Sequence, residues 1–462
     1  MNERILKAKG LANDRPDEAL RILNDILDED PDTEEAEIAL FMSAYIMMQA
    51  NKTGLAYHIY QRCAQMRPNR SEIWSNMGMC LEESNPEKAI KLFTKAYQLD
   101  NKNNSAIANK ALLYLHTGRP KQCVSLCDQA LKIDPNMRSA LHNKGLAKIM
   151  MRDWSGWKEY YETIGVKNRE AKDYGVPNWE GQEGTVLVYG EQGVGDEIMF
   201  ASCLEDLSKT NKIVLDCDRR LESIFKRSFP YSVYGHRFKD TLEIQDGDQF
   251  DYQIAIGQLP HFFRKKDSDF PGKPYLKPDP ERVKMWDSIM GEGPRIGFSM
   301  FGGGKETREK YRSTNLDTFS PLFGNNLINL DYKKVDEDEL KEHGIKYWAR
   351  GVKKGSDLEE LLAIIANLDR VVTVCTTVVY FAGALGVPCD VLVPEYCGYR
   401  YHNSGDTFPW YKSVKLHRGN FKENVRKIAG DINADMYRVR QKGNSSVPRS
   451  YQQYNEAFVG AC

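Results

Sequence analysis

Residues 185–207 read TVLVYGEQGVGDEIMFASCLEDL, and the order of residue types here decides the class of the C-terminal part of the chain. Val186–Tyr189 is a short apolar run with strand composition. Gly190-Glu191-Gln192-Gly193-Val194-Gly195-Asp196 interrupts it with glycines. Ile198, Met199, Ala201, Leu204 and Leu207 then recur at helical spacing. A strand, a glycine turn and a helix in that order open a parallel α/β unit. Backbone N–H groups and a helix N-terminus then face the place where an anion or a reacting hydroxyl would sit. Asp196 stands at the mouth of the turn as the first candidate for chemistry.

The pattern repeats downstream. Lys212–Leu215 reads as a strand, followed by Asp216-Cys217-Asp218 and a helix through Phe225. Two aspartates spaced this way invite a metal-site reading, but helix N-termini select Asp on their own account, and no metal is expected. Phe250–Ile256 reads as another strand, and the Pro-rich residues 267–280 lead to a second α/β unit. There Pro294–Met300 is a strand that opens into Phe301-Gly302-Gly303-Gly304-Lys305-Glu306-Thr307-Arg308-Glu309-Lys310-Tyr311-Arg312-Ser313. Leu327–Leu330, Arg370–Val374 and Asp390–Val393 are further strands, and Asp357–Leu368 and Val378–Leu385 are helices. Strand–helix alternation predicts two Rossmann-like domains with a cleft between them. Gly302 lets a backbone approach phosphate, and Lys305, Lys310 and Arg312 would neutralise it. Thr376 and Thr377, between a buried strand and a helix, offer a second anion turn.

At 462 residues the chain suits two to four domains, with 41% hydrophobic residues and a net charge of −1. That balance does not favour nucleic acid, although short basic runs such as Arg264-Lys265-Lys266 exist. The ten cysteines form no CxxC pair, and no stretch is apolar enough to span a membrane. With no signal peptide at Met1-Asn2-Glu3-Arg4, a cytoplasmic location is expected.

The first third is periodic. Turn residues at Pro31, Pro68, Asn101 and Pro135 recur at intervals of 37, 33 and 34 residues. Small residues Gly78, Ala111 and Gly145 keep the same period. Ala19, Ala56, Ala89 and Cys123 form a second small series, and Tyr60, Phe93 and Cys127 follow it. Two helices per unit need small residues where their backbones cross, and each unit buries its face against the next. Trp74-x2-Met77-Gly78-x2-Leu81 resembles the tetratricopeptide repeat, whose period is about 34 residues. Roughly four and a half repeats are expected over residues 1–165, a solenoid suited to protein or peptide contact and open to oligomerisation. Residues 166–184 read as a docked linker in which Trp179 pins the solenoid against the next domain.

The turn Gly190–Asp196, Gln258-Leu259-Pro260, Arg312-Ser313 and Ala382–Pro388 together look like the heptosyltransferase-like glycosyltransferases. The likeness is closest to the group in which a tetratricopeptide solenoid precedes that module, and Gly156-Trp157, Trp179-Glu180-Gly181 and Phe408–Tyr411 fit that group. The resemblance extends over residues 1–435. It implies a GT-B arrangement: residues 185–285 as the acceptor-side domain, residues 286–435 holding a nucleotide-sugar, and residues 436–462 as a tail. It makes Asp196 the general base for an acceptor hydroxyl on a saccharide, protein or modified nucleobase, with Gly193 and Gly195 shaping the cleft floor. Gly302, Lys305, Lys310, Arg312, Cys375, Thr376, Thr377 and Tyr380 fall on the donor side. The nucleotide-sugar is a co-substrate, and no cofactor is implied. Two positions depart from the family pattern: Cys375 stands where the family has Asp, and Tyr380 where it has His. Tyr380 can still donate a hydrogen bond but brings no charge. These departures keep a second reading open, a weakened transferase fold serving as a protein-binding scaffold. A nicotinamide dehydrogenase is disfavoured, because the turn lacks the third glycine of GxGxxG.

Overall fold

A computed structural model of the chain describes residues 3–29, 33–166, 169–238, 248–303, 309–332, 335–346 and 357–441. The chain divides into two compact units, Met1–Lys148 and Ile149–Cys462.

The first unit is a repeat solenoid of paired helices. They are α1 (Glu3–Leu11), α2 (Pro16–Glu29), α3 (Glu34–Gln49), α4 (Thr53–Met66), α5 (Ser71–Leu81), α6 (Pro86–Leu99), α7 (Asn104–His116), α8 (Pro120–Ile133) and α9 (Arg138–Met150), the last running across the division. The second helices of successive pairs begin at Pro16, Thr53, Pro86 and Pro120, which reproduces the intervals read from the turn residues. Proline is tolerated at these starts because the first N–H groups of a helix have no intrahelical partner. Asn85 accepts from Lys88 N at the head of α6, and Asn103 from Ala106 N at the head of α7. The small series Ala19, Ala56, Ala89 and Cys123 is fully buried.

The crossing of α5 and α6 shows why. A Cβ built on Gly78 would lie 2.7 Å from the ring of Phe93, which is itself fully buried. One repeat later Ala111 and Cys127 hold the corresponding positions, both fully buried. Volume is exchanged between the two helices, glycine with phenylalanine and alanine with cysteine.

The second unit carries two parallel sheets. The first contains β1 (Gly184–Tyr189), β2 (Asn211–Asp216), β3 (Ser232–Tyr234) and β4 (Tyr252–Ala255) in the order β3-β2-β1-β4. The second contains β5 (Arg295–Ser299), β6 (Asn326–Asn329), β7 (Arg370–Val374), β8 (Cys389–Val393) and β9 (Val414–Arg418) in the order β6-β5-β7-β8-β9. The order in which successive strands are added to the sheet reverses between β1 and β4 in one sheet and between β5 and β7 in the other. Ligands of open parallel sheets bind at such switch points, outside the carboxyl ends of the strands. One switch point therefore carries Gly190–Asp196 and Ile256–Gln258. The other carries Met300–Gly303 and Cys375–Thr377.

Seven of the nine strands among the described residues lie within two residues of the bounds read from the sequence, while β3 and β9 were not read from it. β3 has three residues, and β9 alternates Val414, Lys415, Leu416 and His417 at a sheet edge, so neither presents a continuous apolar run. The aromatic run after α9 packs within the second unit. α10 (Gly156–Glu162) carries Trp157, whose ring centroid lies 6.1 Å from those of Phe200 and Trp410, and Trp154 lies 4.6 Å from Phe270. Trp179 also makes its contacts within this unit: its backbone N–H donates to Gln253 O, its indole N–H to Gln182 O, and its ring sits 4.6 Å from Phe262. The helix Phe421–Gln441 continues through the expected start of the tail at 436, and residues 442–462 lie outside the described residues. No helix among the described residues is long and apolar enough to cross a membrane.

Two predictions rest on this packing. Gly78→Ala overpacks the α5–α6 crossing and lowers stability by roughly 1–3 kcal/mol. In a Gly78→Ala/Phe93→Cys double variant, which copies the next repeat, the two losses are less than additive; urea denaturation of the four proteins measures this. The second concerns His402, which is buried against Trp154, with Nδ1 3.0 Å from Ile149 O. Burial lowers its pKa to about 4 from the usual 6.5. Between those values the unfolded chain binds a proton that the folded protein refuses, so stability falls as pH drops from 6.5 to 4. The loss amounts to at most about 3 kcal/mol. His402→Asn should flatten the wild-type fall in the urea midpoint over that window.

Candidate functional site

The first switch point is built on α11 (Val194–Ala201), which Gly193 caps from an extended conformation. Asp196 N and Glu197 N both donate to Gly193 O. These consecutive acids have opposite fates, because they leave the helix at about 100° to each other. Glu197 is fully buried, receives Arg237 Nη1 at 2.5 Å and Asp218 N at 2.9 Å, and burial pushes its carboxyl up to about 8 against the pull of Arg237. Asp196 is only partly buried. A Cβ on Gly193 would stand 3.8 Å from Asp196 Oδ2, an ordinary contact that the position accommodates. Glu191, fully buried, receives Gly257 N at 3.2 Å and so ties the turn after β1 to the turn after β4. Burial raises its pKa, and Arg169 opposes the rise from 3.6 Å. Asp216 and Asp218 are taken up internally. Asp216 receives the Tyr174 hydroxyl and His236 N, and Asp218 caps the turn Arg219–Leu221.

The second switch point is held by Asp331, a buried acid absent from the sequence reading. It accepts Ser299 Oγ at 2.6 Å and the backbone N–H groups of Met300 and Phe301 at 3.0 Å, which shapes the start of the glycine loop. Gly302 makes a close approach to the protein's own backbone: a Cβ there would lie 2.6 Å from Cys375 O and 3.1 Å from Arg312 Cβ. The loops after β5 and β7 and the short helix Glu309–Arg312 are thereby brought together. Cys375 is fully buried, its thiol lies 3.8 Å from Leu392 O on β8, and burial raises its pKa, so it supplies no charge. Thr376 caps the helix Thr377–Leu385 without a side-chain hydrogen bond to it. Lys310 is exposed, and Lys305 lies outside the described residues.

The two switch points meet. A Cβ on Gly195 would lie 2.8 Å from the Tyr380 ring and 3.6 Å from Thr377 Oγ1. Only glycine lets α11 approach the helix Thr377–Leu385 this closely. Tyr380 is buried, and its hydroxyl pKa rises to about 12, so it stays a neutral donor. Across the same junction Arg400 Nε donates to Asp196 Oδ1 at 2.5 Å. Arg400 lies on the turn Tyr399–Tyr401, with its guanidinium 4.5 Å from the Tyr399 ring centroid. Tyr160 of α10 donates to Gln192 Oε1 at 2.9 Å, and its oxygen lies 3.3 Å from that of Tyr399. A helical residue upstream of both sheets thus braces the turn that carries Asp196 and the turn that carries Arg400.

Asp196, Gly195, Thr377 and Tyr380 are therefore brought together, as are Gly302, Arg312 and Cys375. Arg400, Tyr399, Tyr160 and Glu191 were not singled out from the sequence. Arg400 lies 204 residues from Asp196 in a run with no ligand motif, and its only local signal is an arginine flanked by tyrosines. In chemical terms the junction sets a carboxylate beside a guanidinium and a neutral phenol, a proton acceptor next to hydrogen-bond donors suited to an anion.

A model of the tetratricopeptide repeat protein 21 C-terminal ARM domain matches residues 9–143. Protein FlbA of Caulobacter vibrioides is 29% identical over 290 residues, which cover 56% of this chain and 48% of that protein. The chain thus spans about half the length of this curated relative. Solved structures with similarity include Pseudomonas aeruginosa pilF, at 18% identity over 37% of this chain and 76% of that chain, with a TM-score of 0.32. MamA is similar at 16% identity over 36% of this chain and 88% of that chain, with a TM-score of 0.27. With the helix pairs described above, the family model supports a TPR/ARM-like repeat solenoid in the N-terminal unit.

Proposed function

We propose that the C-terminal unit is an inverting glycosyltransferase of GT-B type that takes its sugar from a nucleoside-diphosphate donor, and that the solenoid recruits the acceptor or a partner protein. One observation carries the reading: two parallel sheets meet through their switch points, with Asp196 from the first against Arg400 and Tyr380 from the second. In this reading Asp196 takes the proton of the acceptor hydroxyl as its oxygen bonds to the anomeric carbon. The bond from that carbon to the diphosphate oxygen breaks, and the diphosphate leaves with the electron pair. Arg312, the Thr376–Thr377 turn and the neutral hydroxyl of Tyr380 offset the charge that develops on it.

A second reading, a scaffold on a transferase fold, draws on Cys375, whose thiol is buried and uncharged where the resembled family has a carboxylate. The two readings part on one variant. Thermal shifts against UDP-, GDP- and ADP-sugars identify a stabilising nucleotide, and hydrolysis of that donor gives a basal rate. Asp196→Asn should cut turnover by roughly 10²–10⁴-fold while the nucleotide still stabilises the fold. A scaffold would show no nucleotide shift, and its partner binding would not respond to the substitution.

A further inference from the structure

The second unit contains several arginines held for structure, and Arg400 does not resemble them. Arg264 is fully buried and commits both terminal nitrogens, Nη1 to Asp206 Oδ2 and Phe263 O, and Nη2 to Ser202 O. Arg295 engages Asp287 through Nη1 and Gly291 O through Nε and Nη2. Arg400 engages Asp196 through Nε alone, and neither of its Nη atoms has a hydrogen-bond partner among the described residues. Its side chain is 25% exposed and that of Asp196 is 15% exposed. Stacking on Tyr399 holds the guanidinium plane at the junction of the two switch points. A fork with one edge on a carboxylate and its terminal donors free is shaped to take a second anion, and the guanidinium geometry matches two phosphate oxygens at once.

We propose that Arg400 binds the diphosphate of the donor, and that its ion pair with Asp196 is a lock which the donor opens. This rests on the glycosyltransferase reading and adds an order to it. Without donor, Oδ1 of Asp196 is occupied by the Arg400 Nε–H and is not open to an acceptor hydroxyl. When the diphosphate claims the guanidinium, the carboxylate loses its cation and is free to accept the proton of the acceptor hydroxyl. No bond is made or broken in this step; one cation passes from a carboxylate to a phosphate. Asp196 and the diphosphate then compete for the same charge, and the competition is reciprocal: removing the carboxylate must strengthen nucleotide binding.

The test is calorimetric titration of the full chain with UDP, GDP and ADP, using whichever binds the wild type. Asp196→Asn should tighten Kd by about fivefold or more. Arg400→Ala should weaken it by at least about tenfold, and Arg400→Lys by less, since the charge remains but the fork is gone. In an Arg400→Ala background the Asp196→Asn tightening should vanish. If Arg400→Ala does not fold, Asp196→Asn and Arg400→Lys carry the test alone. Should the wild type bind a nucleotide with a Kd that neither substitution changes, the lock is wrong and the transferase reading stands. Weakening by Asp196→Asn to the same degree as by Arg400→Ala would make the pair a structural brace, which also overturns the proposal. If none of the three nucleotides binds the wild type, the transferase reading fails and takes the lock with it.

Discussion

A side chain at Gly195 would overlap the ring of Tyr380, and the close approach of α11 to the helix Thr377–Leu385 depends on its absence. Each of these helices starts at the carboxyl end of a strand beside a switch point, one in each sheet. Bringing them into contact therefore superposes the two places where parallel sheets carry ligands. Asp196, one residue after Gly195, is carried to Arg400 by the same contact, and the Asp196–Arg400 pair crosses the junction as a consequence of backbone proximity.

The charges around this junction are arranged by depth. Glu191 and Glu197 flank Asp196 in sequence but are fully buried, and burial raises the pKa of both. Their work is internal: Glu191 joins two turns of the first sheet, and Glu197 holds Arg237 and Asp218 N. Asp331 does the corresponding work in the second sheet by receiving the N–H groups that begin the glycine loop. With the loops fixed by buried acids that have partners, the less buried carboxylate is left for another role.

Much of the fold was legible in the chain. The repeat showed through because Gly78, Ala111 and the alanines of the even-numbered helices recur wherever two backbones cross, and that requirement is local and periodic. The buried strands β1, β2, β5, β7 and β8 were readable as continuous apolar runs, as parallel strands covered on both faces must be. β3 and β9 escaped because a three-residue strand and an edge strand lack that run. Gly302 was read as a phosphate approach, and the structure adds that it also lies against the protein's own Cys375 O. A glycine reports crowding, and the sequence does not say what crowds it.

The sequence by itself determined the two architectures, the glycine turns at the strand ends and the placing of Asp196 at the start of a helix, because each follows from residue spacing within about thirty positions. Only the tertiary structure decided which of three neighbouring acids is left only partly buried and which cation meets it. It also decided that Tyr160, from a helix upstream of both sheets, braces their turns. Those outcomes depend on how strands order themselves in a sheet and on which loops the sheet ends bring together. Arg400 and Asp196 stand 204 residues apart, and no local pattern of residue types encodes a meeting at that range.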